Sequence, residues 1–443
     1  MNGLRSVAAL VSAVGLPLRD RPVAELTPTG FCTSNVNAIS MKRFTVIALV
    51  VLLAAPVQGL AVPTDPVDPA SADGTPASAA PPQADESNTT ARLSLSDDGA
   101  TGRAVLSHNL AQSLSTADER MRTNFRVRTF EARLSATDSA QARASVADEI
   151  LTDVGERTAA LKRTEREAVR SFANGSITET RLLRTLAQVD ASAELLDDAV
   201  GEHRRLSATI TGYSAADRRQ EIAVELAMLQ TPVRGELQES FSGSGDGSLR
   251  LTQVSASQEG VVIETVGDGN YYREAVRFDN QDDNATDTFD GDAASVLGYA
   301  EDLYGWASEN KRGEVRLAGI YDGRWRVSIP HQQGSLTTYI DGSTRSVFRE
   351  VQTLQIDRLP DSNTVRTSGD EINVTINQTP HGGLVQVRAT DEAGRPISAD
   401  VAVNDEPVGR TGNDGTLWTL EPRSYYLVAV STGSETVNTT VRP

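Results

Sequence analysis

Histidine is the residue best suited to acid–base chemistry and metal binding near neutral pH, and it is scarce in this chain. The four histidines are His108, His203, His331 and His381. No two of them have the short spacing that places a pair of imidazoles around a metal ion on one helix face. His203 falls on an apolar helical seam, where a hydrogen-bonded core histidine is favoured over a metal ligand. The sequence therefore predicts no metal site and no cofactor.

Motifs for covalent and phosphate chemistry are also missing from the sequence. It contains no G-x-S-x-G elbow, no phosphate-binding loop and no dinucleotide fingerprint. The single cysteine, Cys32, lies upstream of a predicted export signal, so a processed chain would have no disulfide and no cysteine nucleophile. A catalytic set assembled from distant segments stays open. The sequence predicts a non-enzymatic protein, with a hydrolase of unrecognised site as an alternative.

A run of aspartates is the best candidate for a cation site. Carboxylate oxygens are the ligands that Ca²⁺ prefers, but the run lacks the glycine and the closing glutamate of an EF-hand loop. In a chain this acidic, a solvated loop is the better interpretation. The run comprises Asp279, Asp282, Asp283, Asp287, Asp290 and Asp292.

The charge balance excludes some classes of partner. The formal net charge is -18, and the only lysines are Lys42, Lys162 and Lys311, so arginine carries nearly all the positive charge. A GC-rich genome would explain the arginines, and so would adaptation to molar salt, in which a carboxylate-rich surface stays hydrated and its repulsion is screened. Such a chain lacks the basic footprint that nucleic acids and anionic lipids require.

An export signal begins at Met41. A basic pair, Lys42 and Arg43, precedes an apolar run over residues 44–55, and Gly59 and Ala61 form a small-x-small cleavage pattern. These are the parts of a signal peptide, predicted over residues 41–61.

Two further expectations follow from the position of this signal. Residues 1–40 would be an extension upstream of the true start. We expect an extracellular or cell-surface protein, with membrane attachment only if the segment 44–62 is kept as an uncleaved anchor.

Six N-x-Ser/Thr sequons accompany the export signal. In an exported protein each is a candidate glycan acceptor, although a single sequon is weak evidence. They are Asn88, Asn174, Asn284, Asn373, Asn377 and Asn438.

Hydrophobic periodicity divides the remaining chain into four regions. Residues 62–100 are rich in Pro, Ala and Ser and poor in large apolar residues, so they are predicted to form a disordered linker. Residues 101–232 have helical periodicity, residues 249–360 alternate like strands around one helix at 293–309, and residues 371–443 form short strands. The predicted fold class is multidomain α and β: an antiparallel long-helix hairpin or bundle, an α+β domain and a β-sandwich.

The helical region has a heptad-like seam that keeps one stripe facing a partner helix. Asn174-Gly175 is a helix stop, and Ser176 with Glu179 forms a capping box, so two antiparallel helices are predicted. Pro232 and the Ser/Gly run 242–248 are taken as the end of the region. The seam comprises Leu182, Leu186, Val189, Ala193, Leu196, Val200 and His203, and a third helix would present Leu110, Leu114, Met121 and Phe125.

In the middle region, Asp322-Gly323 and Asp341-Gly342 separate alternating segments and predict two β-hairpins. The segment from Trp325 to Val351 resembles PepSY-type repeats, which occur in exported proteins and peptidase propeptides. That resemblance implies a regulator of an exported peptidase, acting on a partner enzyme.

The last region has a recognisable order of strands and turns. Val385-Gln386-Val387 leads into the turn 391–397, the strand 399–403 follows, and then come Asn413-Asp414-Gly415 and Tyr425-Tyr426-Leu427. Over about 60 residues this region resembles the carboxypeptidase regulatory-like, transthyretin-like β-sandwich, which implies a non-catalytic stalk or adhesion module. The whole chain looks like uncharacterised secreted proteins of haloarchaea.

Three hypotheses about function follow. The first is an exported, non-enzymatic structural or interaction protein that contacts an envelope or extracellular protein. The second is the peptidase regulator, and the third is the hydrolase, which requires a cleft of titratable residues with shifted pKa values in the middle domain. The oligomeric state stays open, as does whether the long helices pair within one chain or between chains.

Overall fold

The computed structural model of the protein describes residues 88–97, 99–243, 250–282, 286–319 and 323–443. The predicted extension, export signal and uncleaved anchor lie outside the described residues. So do Asn284, Asp283 and the turn residue Asp322.

An eight-stranded antiparallel sheet lies at the centre of the described chain. Its spatial order is β1-β2-β3-β4-β8-β7-β6-β5. Strand β1 precedes the five helices in the sequence and pairs with β2, which follows them. The strands are β1 (Ala100–Leu106), β2 (Arg250–Ser257), β3 (Gly260–Gly267), β4 (Asn270–Arg277), β5 (Arg316–Gly319), β6 (Arg324–His331), β7 (Gly334–Asp341) and β8 (Ser346–Gln355).

Five helices cover one face of this sheet and extend beyond it. The predicted antiparallel pair is present as α2 and α3, and their apolar stripes pack on each other and on the sheet. The helices are α1 (Leu110–Ser135), α2 (Ala140–Ala173), α3 (Glu179–Ser207), α4 (Ala216–Leu229) and α5 (Pro232–Ser242). None of the helices that the structure describes is long and apolar enough to cross a membrane.

Two of the predicted helix ends were wrong. Helix α3 is capped by Thr178 rather than Ser176, because the Thr178 hydroxyl accepts the backbone N–H of Arg181. Pro232 begins α5 instead of ending the helical region, since its fixed φ and missing N–H suit the first helical position.

The helices and the sheet share one hydrophobic core. Val169 and Phe172 of α2 and Leu183 of α3 are buried against Val254 and Ile263 of β2 and β3. In β3 the adjacent Val262 is buried on the opposite face, because successive side chains of a strand alternate. A sheet covered on both faces explains the continuous apolar run in this strand.

The opposite face is covered by α6 (Ala293–Leu303), α7 (Gly305–Glu309) and residues 88–97. A single helix over 293–309 was predicted, but the helix breaks at Tyr304, whose backbone is non-helical and whose ring is fully buried. Its hydroxyl donates to Glu350 at 2.7 Å. A buried polar partner therefore decides where the helix ends.

The predicted linker 62–100 was wrong in its last part. Ala91 and Leu93 are buried in the core beneath α6 and α7, and the backbone N–H of Leu93 donates to the Glu350 carboxylate at 2.9 Å. Two apolar residues in a polar stretch gave too weak a signal for this contact.

The C-terminal region is the predicted β-sandwich, and it begins earlier than residue 371. One sheet has the order β14-β11-β10-β9 and the other β13-β12-β15-β16, with alternating apolar residues between them. The strands are β9 (Asn363–Ser368), β10 (Asn373–Gln378), β11 (Leu384–Thr390), β12 (Asp400–Val403), β13 (Glu406–Arg410), β14 (Thr416–Leu420), β15 (Tyr426–Ser431) and β16 (Thr436–Val441).

A substitution of Gly334 at the start of β7 would test how tightly β7 and β8 pack in the central sheet. It has φ +151°, and an added Cβ would lie 2.0 Å from the carbonyl oxygen of Thr353. Gly334→Ala is expected to lower the free energy of unfolding by about 2 kcal/mol or more, because both the backbone and β8 must shift. Chemical denaturation would measure the change.

The matched control is Gly298→Ala in α6, where an added Cβ meets no atom within 4 Å. It should stabilise the protein by about 0.5–1 kcal/mol, because alanine is the better helix former. Equal effects of the two substitutions would contradict the strand packing at Gly334.

Candidate binding cleft and buried ion pairs

The histidines lie in four separate places. His203 is buried in α3, where Nε2 donates to the Ala147 carbonyl at 3.1 Å and the ring stacks on Phe130. His331 is buried at the end of β6 against Trp306, and burial lowers its pKa to about 4. His108 contacts Ser113 at the surface, while His381 lies in a loop of the sandwich.

The aspartate run forms loop and cap contacts. Asp292 caps α6 by accepting the N–H groups of Ala294 and Ser295, and Asp279 forms an ion pair with Arg277 at 2.6 Å. Asp287 accepts two backbone N–H groups of its own turn. Within the described ranges, no group of three or more His, Cys, Asp or Glu side chains could hold a metal ion.

The described sequons differ in the exposure of the asparagine side chain and in whether its amide nitrogen donates a hydrogen bond. Asn174 and Asn438 are exposed, and Asn88 is exposed with its Oδ1 accepting from the Trp306 indole. Asn373 and Asn377 are half-buried, and the Nδ2 of each donates to a neighbouring strand or loop.

Two neighbouring residues of β4 form ion pairs on opposite faces of the sheet. On the helical face, Glu274 accepts from Arg349 of β8 at 2.6 Å. On the other face, Arg273 donates to Glu350 of β8 at 2.8 Å. Adjacent residues on each strand have opposite charges, and successive side chains of a strand point to opposite faces of the sheet. One arginine–glutamate pair between β4 and β8 therefore forms on each face, with the charges exchanged between the strands.

The pair on the helical face belongs to a four-residue network. Arg234 of α5 is fully buried and donates to Glu274 at 2.9 Å and to Glu165 of α2, which also accepts from Arg349 at 3.0 Å. Burial alone would raise the pKa of Glu165, but the two guanidinium groups outweigh it and hold the pKa at about 2. These contacts join α2, α5, β4 and β8.

Asp190 of α3 lies beside this network. It accepts the backbone N–H of Thr231 at 3.1 Å, and the Thr231 hydroxyl donates to Glu274 at 2.8 Å. Burial raises the pKa of Asp190 to about 7, although Arg234 and the Thr231 N–H oppose the shift. Asp190 thus titrates near neutral pH.

A cleft of about 860 Å³ lies between the central sheet and the C-terminal sandwich. One wall is formed by residues 92–95 with β3 and β4, and the other by sandwich loops around 378–382 and 421–423. Below it, Tyr271, Leu354, Leu384 and Leu420 form an apolar contact between the two domains. This buried contact sets the relative position of the two walls.

Positive charge collects in the cleft. Arg423 is 46% exposed and contacts Glu264 at 3.4 Å, whereas Arg92 is buried with its guanidinium over the Tyr271 ring. The charged side chains of the lining are Arg92, Arg273, Arg423, Arg442, Glu264 and Glu421. Among the side chains of the lining, four arginines face two glutamates, although the chain as a whole is strongly acidic.

One carboxylate oxygen in the cleft has no partner among the described residues. Glu421 is 1% exposed, and its Oε1 accepts from Gln378 Nε2 and from the Tyr426 hydroxyl at 3.0 Å. Its Oε2 makes no hydrogen bond. Burial raises the pKa of Glu421 against those two hydrogen bonds. A buried polar atom without a partner is costly, so a donor that reaches this oxygen would stabilise it.

The residues of the cleft were not singled out from the sequence. Glu421 and Arg423 flank Pro422 after a strand, and Arg92 lies in the predicted linker. These residues meet only when the sheet and the sandwich pack together, and the one local hint is a pair of charges after an apolar strand.

Comparison with known families divides the chain into three segments. Residues 41–246 match a domain of unknown function, DUF7096, and residues 252–360 match a family of unknown function, DUF7094. Residues 363–439 match an archaeal fibronectin-III type-like domain. No curated protein and no solved structure matches the chain. In order along the sequence, the chain is therefore similar to two families of unknown function followed by an archaeal fibronectin-III type-like β-sandwich.

Proposed function

We propose that the chain is an exported, non-enzymatic interaction protein whose cleft binds an anionic group of an envelope or extracellular partner. The fibronectin-III-like sandwich supports a role in interaction, and the signal-like segment at 41–61 supports export. The observation that carries the binding site is the arginine-rich cleft with the unpartnered oxygen of Glu421.

The charges of the cleft define what it would bind. Arg423 uses part of its guanidinium on Glu264, and a guanidinium has five N–H donors, so donors remain for a carboxylate or sulfate. Glu421 offers an acceptor in the same cleft. The ligand is therefore an anionic group with a hydroxyl or N–H donor nearby.

The test compares the wild type with Arg423→Gln/Arg442→Gln. Each tagged protein would be cross-linked in cells kept in molar salt and recovered for mass spectrometry. We expect the double variant to lose most of the partners that the wild type retains, because the anion loses the two exposed arginines of the cleft. The control is Arg395→Gln, which removes an arginine paired with Asp391 on an exposed turn of the same sandwich. Equal recovery by all three proteins would refute the cleft as the binding site.

The same experiment tests export through the N-terminus of the recovered protein. A mature N-terminus near Val62 would agree with a cleaved signal, whereas recovery with residues 1–40 intact would contradict it. A single peptidase as the main partner would favour the regulator that the PepSY resemblance implies. The segment carrying that resemblance forms β6, β7 and β8 of the central sheet.

One observation favours a second candidate function, the hydrolase. Glu421 has a raised pKa and lines a cleft, as a general acid would. The other carboxylate of the lining, Glu264, is held by the Tyr271 hydroxyl at 2.6 Å. Hydrolysis of peptide or glycoside substrates by the wild type but not by Glu421→Gln would support this candidate, and inactivity of both would oppose it.

A further inference from the structure

Large apolar side chains are exposed in one short part of the described chain. Six are exposed, and only Tyr425 lies outside the segment from Val105 to Phe125. Four of them belong to α1, with exposed fractions of 62–71%. Such a concentration marks an interaction surface, because single exposed apolar residues are otherwise scattered. We call these four, which are Leu110, Leu114, Met121 and Phe125, the α1 stripe.

Helix α1 faces the bundle with polar side chains over most of its length. Gln112 and Thr123 are buried, and Gln112 Nε2 donates to Gln188 of α3 at 2.7 Å. Apolar side chains of α1 reach the core only toward the end of the described helix, where Phe130 and Leu134 are buried and Val127 is partly buried. The predicted third helix is therefore present, and the four apolar residues from which it was predicted point away from the bundle. No part of the chain that the structure describes covers the stripe.

The spacing of the stripe is symmetric along the helix. Its intervals are four, seven and four residues, so it reads the same from either end, and its midpoint lies between Ala117 and Asp118. These positions fall within a narrow arc of an α-helix and span about 22 Å at 1.5 Å per residue. A stripe with this symmetry is complementary to an antiparallel copy of itself.

We propose that α1 pairs antiparallel with α1 of a second copy of this chain around a two-fold axis at that midpoint. Leu110 then faces Phe125 of the second copy, and Leu114 faces its Met121. Ala117 lies on the stripe at the axis, and its small side chain lets the two helices approach closely.

The charges near the stripe are compatible with this pairing. Asp118 and Arg122 form an ion pair of 3.0 Å beside the midpoint, so each copy brings both signs to the edge of the contact. The net charge of -18 repels two copies at low ionic strength. High salt screens that repulsion and leaves the apolar contact intact, so the dimer should strengthen as salt rises.

The first experiment measures the mass of the protein in solution by light scattering and sedimentation in molar KCl. We expect a dimer for the wild type and a monomer for Leu114→Glu/Met121→Glu, with the dissociation constant raised at least about tenfold, since each carboxylate would be buried in an apolar contact. The control, Ala111→Glu/Ser115→Glu, places the same charges on exposed positions at the flank of α1 and should remain a dimer. Because the stripe is exposed in a single copy, all three proteins should fold. The wild type and the control should unfold at a higher denaturant concentration than the monomeric variant, since dimerisation stabilises the folded state.

The second experiment tests the register by disulfide cross-linking in a Cys32→Ser background, in which no native thiol remains. Differently tagged Leu110→Cys and Phe125→Cys proteins are mixed and oxidised. Antiparallel pairing predicts cross-links between the two variants and few within either one, because a disulfide needs Cα atoms within about 7 Å. A parallel pair would give the reverse pattern and would overturn the proposed geometry.

A monomeric wild type at all salt concentrations would refute the dimer. So would a dimer that survives Leu114→Glu/Met121→Glu. Binding of a monomer to anionic vesicles through the α1 stripe would assign the surface to a membrane instead. The proposal is independent of the cleft, so Arg423→Gln/Arg442→Gln should leave the dimer unchanged.

Discussion

Arg234→Met is expected to lower the free energy of unfolding by about 3–5 kcal/mol. Arg234 is fully buried and donates to Glu165 and Glu274, which are themselves almost fully buried. Removing its charge leaves two carboxylates facing Arg349 alone. The cost comes from unpaired buried charge rather than from lost volume, because methionine fills similar space.

Urea denaturation in molar KCl would measure this effect, since salt screens a buried network much less than a surface pair. Arg395→Met is the control, because Arg395 pairs with Asp391 on the surface and should cost less than about 1 kcal/mol. The double variant Arg234→Met/Glu165→Leu should be less destabilised than the sum of its single changes, since it removes an unpaired carboxylate. Additive effects would contradict the network.

Asp190→Asn is expected to stabilise the protein above neutral pH. The folded pKa of Asp190 is about 7, above its ordinary value of 3.8, so folding takes up a proton between those values. The stability contributed by this group is fully present below about pH 4 and is lost as pH rises through 7. A shift of about three pKa units corresponds to about 4 kcal/mol, so a gain of about 1–4 kcal/mol at pH 8 is expected for asparagine.

Asparagine keeps an oxygen that can accept the Thr231 N–H, so only the charge is removed. Unfolding curves of both proteins from pH 4 to pH 8 would measure the difference, which should vanish at the acid end. A constant difference across this range would show that Asp190 does not titrate as inferred.

The pKa of Glu165, in the same region, is shifted in the opposite direction from that of Asp190, so its contribution to stability depends on pH in the opposite way. Its pKa is lowered to about 2, so its stabilising contribution is present above pH 4.5 and is lost as pH falls toward 2. Glu165→Gln should therefore destabilise the protein at neutral pH, whereas Asp190→Asn stabilises it. This contrast separates a carboxylate held by two arginines from one that is raised mainly by burial.

Local patterns predicted the elements whose signals repeat over many residues. The seam from Leu182 to His203 predicted α3 and its packing on α2, because helical periodicity over several turns needs no distant information. The alternation after residue 371 predicted the β-sandwich for the same reason. The helix ends predicted at Ser176 and Pro232 were wrong. Several nearby residues can supply a capping hydrogen bond, and a proline can begin a helix as well as end one.

Contacts between distant segments decided the rest. The pairing of β1 with β2, the burial of Leu93 and the outward orientation of the α1 stripe depend on which surfaces meet, and periodicity does not encode that. The ion pairs between β4 and β8 and the cleft at Glu421 likewise depend on which distant segments come together. The sequence by itself determined the fold class, the long helices and the acidic balance of this protein. Only the tertiary structure brought its scattered arginines and glutamates together, because charged groups interact strongly only where folding removes water from around them.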